Sequence, residues 1–393
     1  MIDSPRQNRQ MNALAREYDI YTIGIGPSPT HSKFHFDISY KPKFVFKNID
    51  VFALPRVILY MFLTLFKLFA LANYLLPTSG NTLSPRKIRR KIPAEHFKIV
   101  SGRDVHTLWT CMQVFSRELV WIDLPDFTPL EQEHRYLWLK TWGAYFEYSA
   151  QSLLSHKVIT TTVSEGLAHR FEKDYGIKPC VLYNIPSNFK KQTTQLIQHT
   201  DSMRLVHSGA AIRSRDLHLM IEAVCNLNDV SLEMILLPTD KQYVNDLKHF
   251  SRGHKNISFK TPVERSQIIS DLSNYHCALI VIAPNNFNYA NCLPNKFFEA
   301  IQARIPVISG PTPDMKRIIE EYDIGIVASD FTSESIASAV RKMSHELLEN
   351  NLVRFQSGLE KCASKFSISE QDKILKNLIE VSLSQLVPDE FFE

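Results

Sequence analysis

Short apolar segments alternate with amphipathic segments throughout the second half of the chain, and this alternation restricts the possible fold more than any other feature. Each apolar segment is rich in Val, Ile and Leu, as in CALIVIAP at 277–284, and a segment with helical spacing follows most of them. Strands that are apolar on both faces and separated by helices are typical of a parallel sheet covered on both sides. We therefore predict a doubly wound α/β domain of the nucleotide-binding type at residues 203–365. Its predicted strands are 203–209, 232–238, 257–263, 277–284, 306–308 and 324–328, and its predicted helices are 217–227, 243–251, 265–275 and 314–322, with one more beginning near residue 295.

The first half alternates less regularly, but it contains the same two kinds of segment. A polar connection at 187–202 separates it from the second half. The simplest architecture is two Rossmann-like domains that face a cleft, at 1–186 and 203–365, with the closing segment 366–393 returning to the first domain. We predict helices at 8–18 and 369–385 and strands at 19–26, 97–102, 119–123, 157–163 and 178–184, with the strand at 19–26 in the same sheet as the others.

Basic residues are concentrated near the start of the chain. Residues 1–110 contain 16 Lys and Arg against 7 Asp and Glu, a net charge of +9, whereas the whole chain carries +4. Such a basic region favours a local anionic partner, either a membrane surface or phosphate, over nucleic acid. The six cysteines lack metal-ligand spacing and the first residues form no apolar signal segment, so we expect a reduced, cytoplasmic protein without structural zinc.

The segment NCLPNKFFEAIQARIPVIS at 291–309 combines a polar, positively charged corner with an apolar helix. Helix N-termini attract phosphate, and Asn295 and Lys296 add an amide and a full cation at this end. Glu299 follows one turn later, where a carboxylate accepts hydrogen bonds from a pair of sugar hydroxyls. Together these residues describe a clamp for a nucleoside diphosphate. The alternative is a plain helix with a polar cap.

This segment resembles the donor-site motif of family 4 glycosyltransferases, which have the two-domain GT-B fold. Glu299 and Ala300 match the motif's second glutamate and the residue after it, and Pro306-Val307-Ile308 matches the following strand. Asn291 occupies the position of the first glutamate, as in polysaccharide-assembling relatives. The resemblance implies that the nucleotide-sugar donor binds here, with the run Leu293-Pro294-Asn295-Lys296 at the turn.

Two further segments extend the resemblance over nearly the whole chain. HSGAAIRSRDLHLMIEA at 207–223 is similar to the family's strand, glycine loop and basic residue before a helix. The match implies that Gly209 lets the donor diphosphate approach the backbone, and that either Arg213 or Arg215 neutralises it. The run at 158–186 is similar to the strand, helix and Asn-x-Pro run that end the family's first domain.

The first domain departs from the family in the segment VWIDLPDFTP at 120–129. Relatives carry Asp-x-His-Glu here, whereas this chain has Asp123-Leu124-Pro125-Asp126. The candidate catalytic residues are therefore Asp123 and Asp126, with His106 in the neighbouring loop and Arg215 in the second domain. The alternative for each aspartate is a cap at the end of a strand.

The resemblance implies a retaining transfer of a sugar to a saccharide acceptor, lipid-linked in polysaccharide assembly. The sequence contains no Asp-x-Asp, so we expect Lys296, Arg215 and the helix end to replace a metal ion, with no cofactor besides the donor substrate. A nucleotide-sugar 2-epimerase and a catalytically inactive relative that acts as an assembly partner are the alternatives.

An apolar segment of twenty residues at 57–76 is long enough to span a bilayer. Its interior Lys67 and Asn73 oppose a span, and a span would separate the segment at 8–26 from the strands of its own sheet. The basic run PRKIRRK at 85–91 suits anionic headgroups. We favour a helix lying in the membrane plane, which would make the protein peripheral on the inner face of the cell membrane, over a buried core helix or a span.

Overall fold

The structure is a computed structural model that forms two compact units. It describes residues 5–24, 27–37, 45–46, 49–50, 54–75, 85–93, 97–115, 118–154, 157–186, 202–350 and 353–385. The first unit contains the chain up to Leu182, the short segment Asn286–Asn288 and the chain from Asp372 onward. The second unit contains Tyr183–Asn285 and Tyr289–Gln371. The predicted connection at 187–202 lies outside the described residues except for its last residue.

The first unit contains a four-stranded parallel sheet with helices around it. A 3₁₀ turn at Thr128–Leu130 and a π-helical turn at Leu139–Gly143 interrupt its longer connections. The elements are α1 (Pro5–Leu14), β1 (Ile20–Gly24), β2 (Ser32–Asp37), β3 (Val45–Phe46), β4 (Ile49–Asp50), α2 (Leu54–Leu65), α3 (Phe69–Leu75), α4 (Pro85–Lys91), β5 (Ile99–Arg103), α5 (Val105–Val114), β6 (Leu119–Leu124), α6 (Tyr136–Trp138), α7 (Ala144–Leu153), β7 (Val158–Thr162), α8 (Glu165–Tyr175) and β8 (Cys180–Val181).

The strands of this unit follow the sequence prediction, but their pairing differs at one point. The sheet has the order β5-β6-β7-β8, and every residue of the central strand β6 is buried. The predicted strand at 19–26 forms β1, yet β1 pairs in parallel with β2 in a separate two-stranded sheet, so the prediction that it joins the main sheet is wrong. Strand β2 was not predicted because its residues SKFHFD mix polar and aromatic side chains and form no apolar run.

The apolar segment at 57–76 folds as two helices, α2 and α3, instead of one. The break lies at Lys67, which adopts a left-handed φ of 56°, and Leu68 donates its N–H back to the Leu63 carbonyl at 2.7 Å. This reversal satisfies the last carbonyls of α2 and ends the helix there. In the part of the chain that the structure describes, no helix combines the length and apolarity needed to cross a membrane.

The second unit confirms the predicted doubly wound architecture. Its six strands are all parallel in the order β11-β10-β9-β12-β13-β14. Strand order reverses between β9 and β12, and ligands of such sheets bind at the carboxyl ends of the two strands that flank this reversal. The elements in this part of the chain, of which α12 and α17 are divided between the two units, are β9 (Met203–Ala210), α9 (His218–Val224), β10 (Val230–Leu237), α10 (Lys241–Phe250), β11 (Ile257–Lys260), α11 (Ile268–Leu272), β12 (Cys277–Ile280), α12 (Phe287–Ala290), α13 (Asn295–Gln302), β13 (Val307–Ser309), α14 (Pro313–Tyr322), β14 (Gly325–Val327), α15 (Ser333–Asn350), α16 (Val353–Lys365) and α17 (Ile368–Gln385).

Two segments from later in the chain complete the first unit. Asn288 forms two hydrogen bonds with the backbone of Phe127, accepting at 2.7 Å and donating at 3.2 Å. Leu375 and Ile379 of α17 are buried in the same cluster as Trp121 of β6. The first unit therefore depends on parts of the chain that lie far away in sequence.

Candidate functional site

The predicted corner lies at the carboxyl end of the second sheet, next to the reversal of strand order. Helix α13 begins at Asn295, directly after the extended residue Pro294, and the buried Leu293 fixes the turn from within the core. Lys296 is the second residue of the helix, and its side chain is only 7% exposed. A cation at this depth needs a partner of opposite charge, or it loses its proton.

Gly209, at the end of β9, lies directly beneath the Lys296 amine. Its φ is +145°, and a methyl group added to its Cα would lie 2.6 Å from Lys296 Nζ. Both the backbone conformation and the close approach require glycine here. The predicted strand, glycine and lysine are therefore brought together.

His207, which the sequence prediction missed, forms a hydrogen bond with the Lys296 amine. His207 is fully buried in β9, with Nδ1 2.8 Å from the Leu279 carbonyl and Nε2 3.0 Å from Lys296 Nζ. Since a carbonyl only accepts, Nδ1 carries the proton and donates, and Nε2 is left as an acceptor for the lysine. The sequence signal that could have identified this residue is a polar histidine in an otherwise apolar strand, two residues before Gly209.

Burial and charge determine the protonation of this group. Burial lowers the pKa of Lys296 to about 7, with the Arg215 charge acting in the same direction and Glu299 opposing it. Burial and the Lys296 charge hold the pKa of His207 well below its ordinary value, so His207 is neutral. The pKa of Glu299 is raised by burial and is held down in part by Lys296 and Arg265.

The structure distinguishes the two arginines that the sequence left as alternatives. Arg213 is exposed and forms ion pairs with Asp240 at 2.9 Å and Asp246 at 2.7 Å. Arg215 has no ion pair among the described residues, and its buried Nε has no hydrogen-bond partner there. Its guanidinium lies 5.7 Å from the centre of the Tyr289 ring. Arg215 is thus the cation that remains available to a ligand, as the prediction preferred.

The remaining donor-site candidates lie around the same turn. Asn291 is partly buried between α12 and α13, and Glu299 is partly buried one turn into α13. Asn295 is exposed, and its side-chain oxygen accepts a hydrogen bond from the Asn184 amide. Asn184 belongs to the Asn-Ile-Pro run of the sequence resemblance, and its own side-chain oxygen is buried without a hydrogen-bond partner among the described residues.

The chemistry of this arrangement is that of an anion site. The first N–H groups of α13, the Lys296 amine and the Arg215 guanidinium supply positive charge next to a glycine that leaves the backbone open. Among the described residues, no group of three or more His, Cys, Asp and Glu side chains is placed to hold a metal ion.

The first-domain candidate Asp123 is fully occupied by a structural contact. Arg6 binds both carboxylate oxygens of Asp123 at 2.7 Å, and the Thr161 hydroxyl donates to Oδ1 at 2.7 Å. Burial alone would raise the pKa of Asp123, but the Arg6 guanidinium outweighs it and lowers that pKa. Asp123 anchors α1 to the sheet, and the geometry does not support its predicted catalytic role.

The other first-domain candidates surround a second carboxylate, Asp104, that the sequence prediction missed. Asp126 is exposed at the end of β6, and its pKa is raised because the surrounding protein displaces water. Asp104 immediately follows β5 with a left-handed φ of 62°, and burial raises its pKa to about 7, with Arg103 opposing and Asp126 adding to the rise. His106 lies in the first turn of α5, and its side chain lies outside the described part of the chain.

No protein-family model and no curated protein sequence matches this chain. Solved structures match over almost its whole length. A glycosyltransferase from Rickettsia africae ESF-5 aligns with a TM-score of 0.67 at 11% identity, covering 97% of this chain and 96% of that one.

Two other solved structures show the same extent of similarity. Sucrose-phosphate synthase from Thermosynechococcus elongatus aligns with a TM-score of 0.65 at 10% identity, covering 97% of this chain and 92% of that one. HepE from Anabaena, in complex with UDP and glucose, aligns with a TM-score of 0.62 at 11% identity, covering 96% of both chains. At these identities the similarity shows the fold alone. This chain therefore has the predicted GT-B fold, with two Rossmann-like α/β domains.

Proposed function

We propose that this protein is a glycosyltransferase that uses a nucleoside-diphosphate sugar, with the donor diphosphate bound at the tip of α13. The observation that carries the proposal is the pair of cations there. Lys296 is buried over Gly209, and the buried Nε of Arg215 has no partner within the described residues. Two neighbouring cations that lack a carboxylate partner repel each other, and a diphosphate relieves both the repulsion and the missing hydrogen bonds.

Each residue of the site has a part in this reaction. The α13 N-terminus, Lys296 and Arg215 bind the diphosphate and stabilise the charge that develops on it as the sugar leaves. Glu299 accepts hydrogen bonds from the ribose hydroxyls and positions the donor. We propose that the Arg215 guanidinium and the Lys296 amine, once protonated, neutralise the diphosphate in place of a divalent ion, so that the transfer requires no metal.

The reaction we propose is a retaining transfer, as the sequence resemblance implies. The bond between the sugar's anomeric carbon and the diphosphate oxygen breaks, and a bond to an acceptor hydroxyl oxygen forms on the same face. The departing diphosphate oxygen takes the acceptor's proton. HepE, which shares the fold, is found in complex with UDP and glucose, and this supports the same class of donor here.

We further propose a saccharide acceptor, lipid-linked in polysaccharide assembly, and attachment of the protein to an anionic membrane surface. Helix α2 is apolar around most of its circumference. Tyr60 and Leu63 are buried against the aromatic cluster of Trp142 and Tyr145. The opposite side exposes large apolar side chains to solvent, and these are Val57, Ile58, Leu59, Phe62, Leu65 and Phe66.

A helix that is apolar on its outer face as well as on its packed face is typical of a membrane contact. Helix α4 of the same unit supplies charge. Its Ile88 is buried and Arg89 donates to the Val114 carbonyl at 2.8 Å, while Arg90 and Lys91 are exposed. Anionic headgroups are the surface that this combination fits.

Ligand-dependent thermal stability combined with turnover tests the proposed function. We expect UDP, GDP or dTDP to raise the melting temperature, since a ligand at 100 times its Kd adds about 2.7 kcal/mol of stability. We expect the matching nucleotide sugar to release its nucleotide, at the same rate in EDTA. Gly209→Ala places a methyl group against Lys296 and should abolish the shift. Gly253→Ala has a comparable left-handed φ of +94° but open space around it, and it should keep the shift.

Three results would contradict parts of this proposal. No shift with any nucleoside diphosphate would overturn the donor site. A shift without nucleotide release would favour the inactive assembly partner over the enzyme. Loss of turnover in EDTA, with recovery on adding Mg²⁺ or Mn²⁺, would overturn metal independence.

A further inference from the structure

The buried Lys296 amine forms a hydrogen bond with His207, a residue that has no part in the proposed reaction. Lys296 Nζ, His207 Nε2 and the Leu279 carbonyl form a continuous chain of hydrogen bonds of 3.0 Å and 2.8 Å. The chain runs from one central strand, β12, through its neighbour β9 to the second residue of α13. It therefore connects the rigid centre of the sheet to the tip of the helix.

The direction of these hydrogen bonds is fixed by chemistry. The Leu279 oxygen has no proton to give, so it holds the His207 proton on Nδ1. Nε2 is then a permanent acceptor that faces the lysine amine. Because His207 is completely buried, its ring cannot rotate away or be replaced by water.

We propose that His207 is a positioning residue that holds the Lys296 amine over Gly209 and lets a buried ammonium form there when a nucleoside diphosphate binds. This inference rests on the proposed donor site. His207 does not touch the diphosphate in this account. It acts through Lys296, by restricting the amine to one place and by accepting one of the three hydrogen bonds that an ammonium must make.

The charged groups around Lys296 give this arrangement a pH dependence. Arg215 from the loop after β9 opposes protonation of the amine, whereas Glu299 on α13 and Cys292 before it favour protonation. Arg265 faces Glu299 and weakens its influence. Without ligand, burial lowers the pKa of Lys296 to about 7, so at pH 8 the amine is mostly neutral. A bound diphosphate favours the ammonium, and binding at pH 8 should therefore take up a proton.

Titration calorimetry with UDP tests this inference, using UDP as the nucleoside-diphosphate probe. Measured at pH 8 in two buffers of different ionisation enthalpy, the unmodified protein should take up close to one proton per UDP bound. At this pH the phosphates of UDP are already ionised, so they contribute little. Lys296→Met should bind with no proton uptake. At pH 5.5 the amine is already charged, so the unmodified protein should take up no proton, and the partly protonated UDP phosphate can release one instead.

Variants of His207 separate positioning from a general effect on stability. His207→Leu keeps a similar volume but removes the acceptor, and UDP binding at pH 7 should weaken about tenfold or more, since a hydrogen bond to a charged group is lost. The loss of affinity with rising pH should begin at a lower pH in this variant. His207→Gln restores an acceptor near the position of Nε2 and should recover most of the affinity.

The matched control is His276→Leu, which removes a second buried histidine from the same domain. His276 Nδ1 accepts a hydrogen bond from the Arg204 N–H at 2.8 Å. Arg204 lies near the start of β9, five residues before Gly209, so the two residues are roughly 16 Å apart along the strand. His276→Leu should lower stability and leave both the UDP affinity and its pH profile unchanged.

The outcomes distinguish this inference from the function on which it rests. UDP binding that is unchanged in affinity and pH profile in His207→Leu would overturn the role of His207 and leave the donor site intact. Proton uptake that persists in Lys296→Met would overturn the assignment of the proton to that amine. If neither UDP, GDP nor dTDP binds to the unmodified protein, the proposed function fails, and this inference fails with it.

Discussion

The carboxyl ends of the two sheets carry charged groups of opposite sign, and these groups differ in whether they are paired. At the carboxyl end of the second sheet, Arg215 and Lys296 converge without a carboxylate ion pair among the described residues. At the carboxyl end of the first sheet, Asp123 is saturated by Arg6 and Thr161, although Asp126 and Asp104 stay close by with raised pKa values. A charged group whose hydrogen bonds are all made within the protein, such as Asp123, stabilises the fold. A charged group without such partners, such as Arg215, is available to a ligand, so pairing separates structural from functional residues.

The largest effect should come from removing the saturated carboxylate. Asp123→Asn leaves the Arg6 guanidinium buried opposite a neutral amide, and breaking a buried ion pair costs about 3–5 kcal/mol. Denaturant unfolding at pH 7 measures this loss. The matched control is Asp126→Asn, the same change three residues on, which should leave stability unchanged or raise it, because the pKa of Asp126 is raised in the folded state. Equal effects in the two variants would contradict the anchoring role of Asp123.

In the second unit, Glu299→Ala should lower turnover of the nucleotide sugar by about 10²-fold, because the donor loses its positioning on the ribose. Steady-state kinetics measures this effect, and circular dichroism checks that the fold is retained. Glu320→Ala is the control, since Glu320 is an exposed carboxylate on α14 that pairs weakly with Lys316 at 3.8 Å. Unchanged turnover in Glu299→Ala would contradict the donor-site assignment.

The basic helix of the first unit gives the next largest effect. Changing Arg90 and Lys91 together to Gln should weaken binding to vesicles of anionic lipid about thirtyfold at low salt, at about 1 kcal/mol for each charge. Co-sedimentation across a salt series measures this, and the difference should shrink as salt rises. Changing Arg341 and Lys342 to Gln removes the same charge from exposed positions on α15 and serves as the control. An unmodified protein that stays in the supernatant with both anionic and neutral vesicles would contradict the membrane contact.

The last effect is one of pH and concerns Asp104, which forms an ion pair with Arg103 at 3.5 Å at the edge of the first sheet. Burial raises the pKa of Asp104 from 3.8 to about 7, so between these values the folded state holds a proton that the unfolded state has released. The free energy of unfolding should therefore fall as pH rises from about 4 to 7. Asp104→Asn should show a shallower fall, because the amide has nearly the same size and shape as the carboxylate but does not titrate. Parallel curves for the two proteins in denaturant unfolding at several pH values would contradict the raised pKa.

The sequence predicted the second unit well because each strand there is an apolar run followed by a helix. The chemistry of a helix N-terminus pointed to Lys296 and Glu299, and the family resemblance implied Gly209. The parallel, doubly wound arrangement followed from this alternation.

The sequence could not predict which charged residues are paired with residues distant in the chain. Nothing local in Arg213 and Arg215 shows that Asp240 and Asp246 neutralise the first of them. Asp123 looked catalytic because Arg6, its partner, lies 117 residues away. His207 was overlooked because a single histidine in an apolar strand carries no pattern until Lys296 is placed above it.

Arg215, which has no ion pair among the described residues, is proposed to bind the donor diphosphate near the tip of α13. A comparison of the two arginines tests this directly. UDP, GDP and dTDP should be titrated calorimetrically into Arg215→Ala and Arg213→Ala. Arg215→Ala should weaken binding of the preferred nucleotide about tenfold or more, because a charge-assisted contact to phosphate is lost. Arg213→Ala should change it less than about threefold, since this arginine is already paired at the surface. Loss of binding in Arg213→Ala alone would contradict the account.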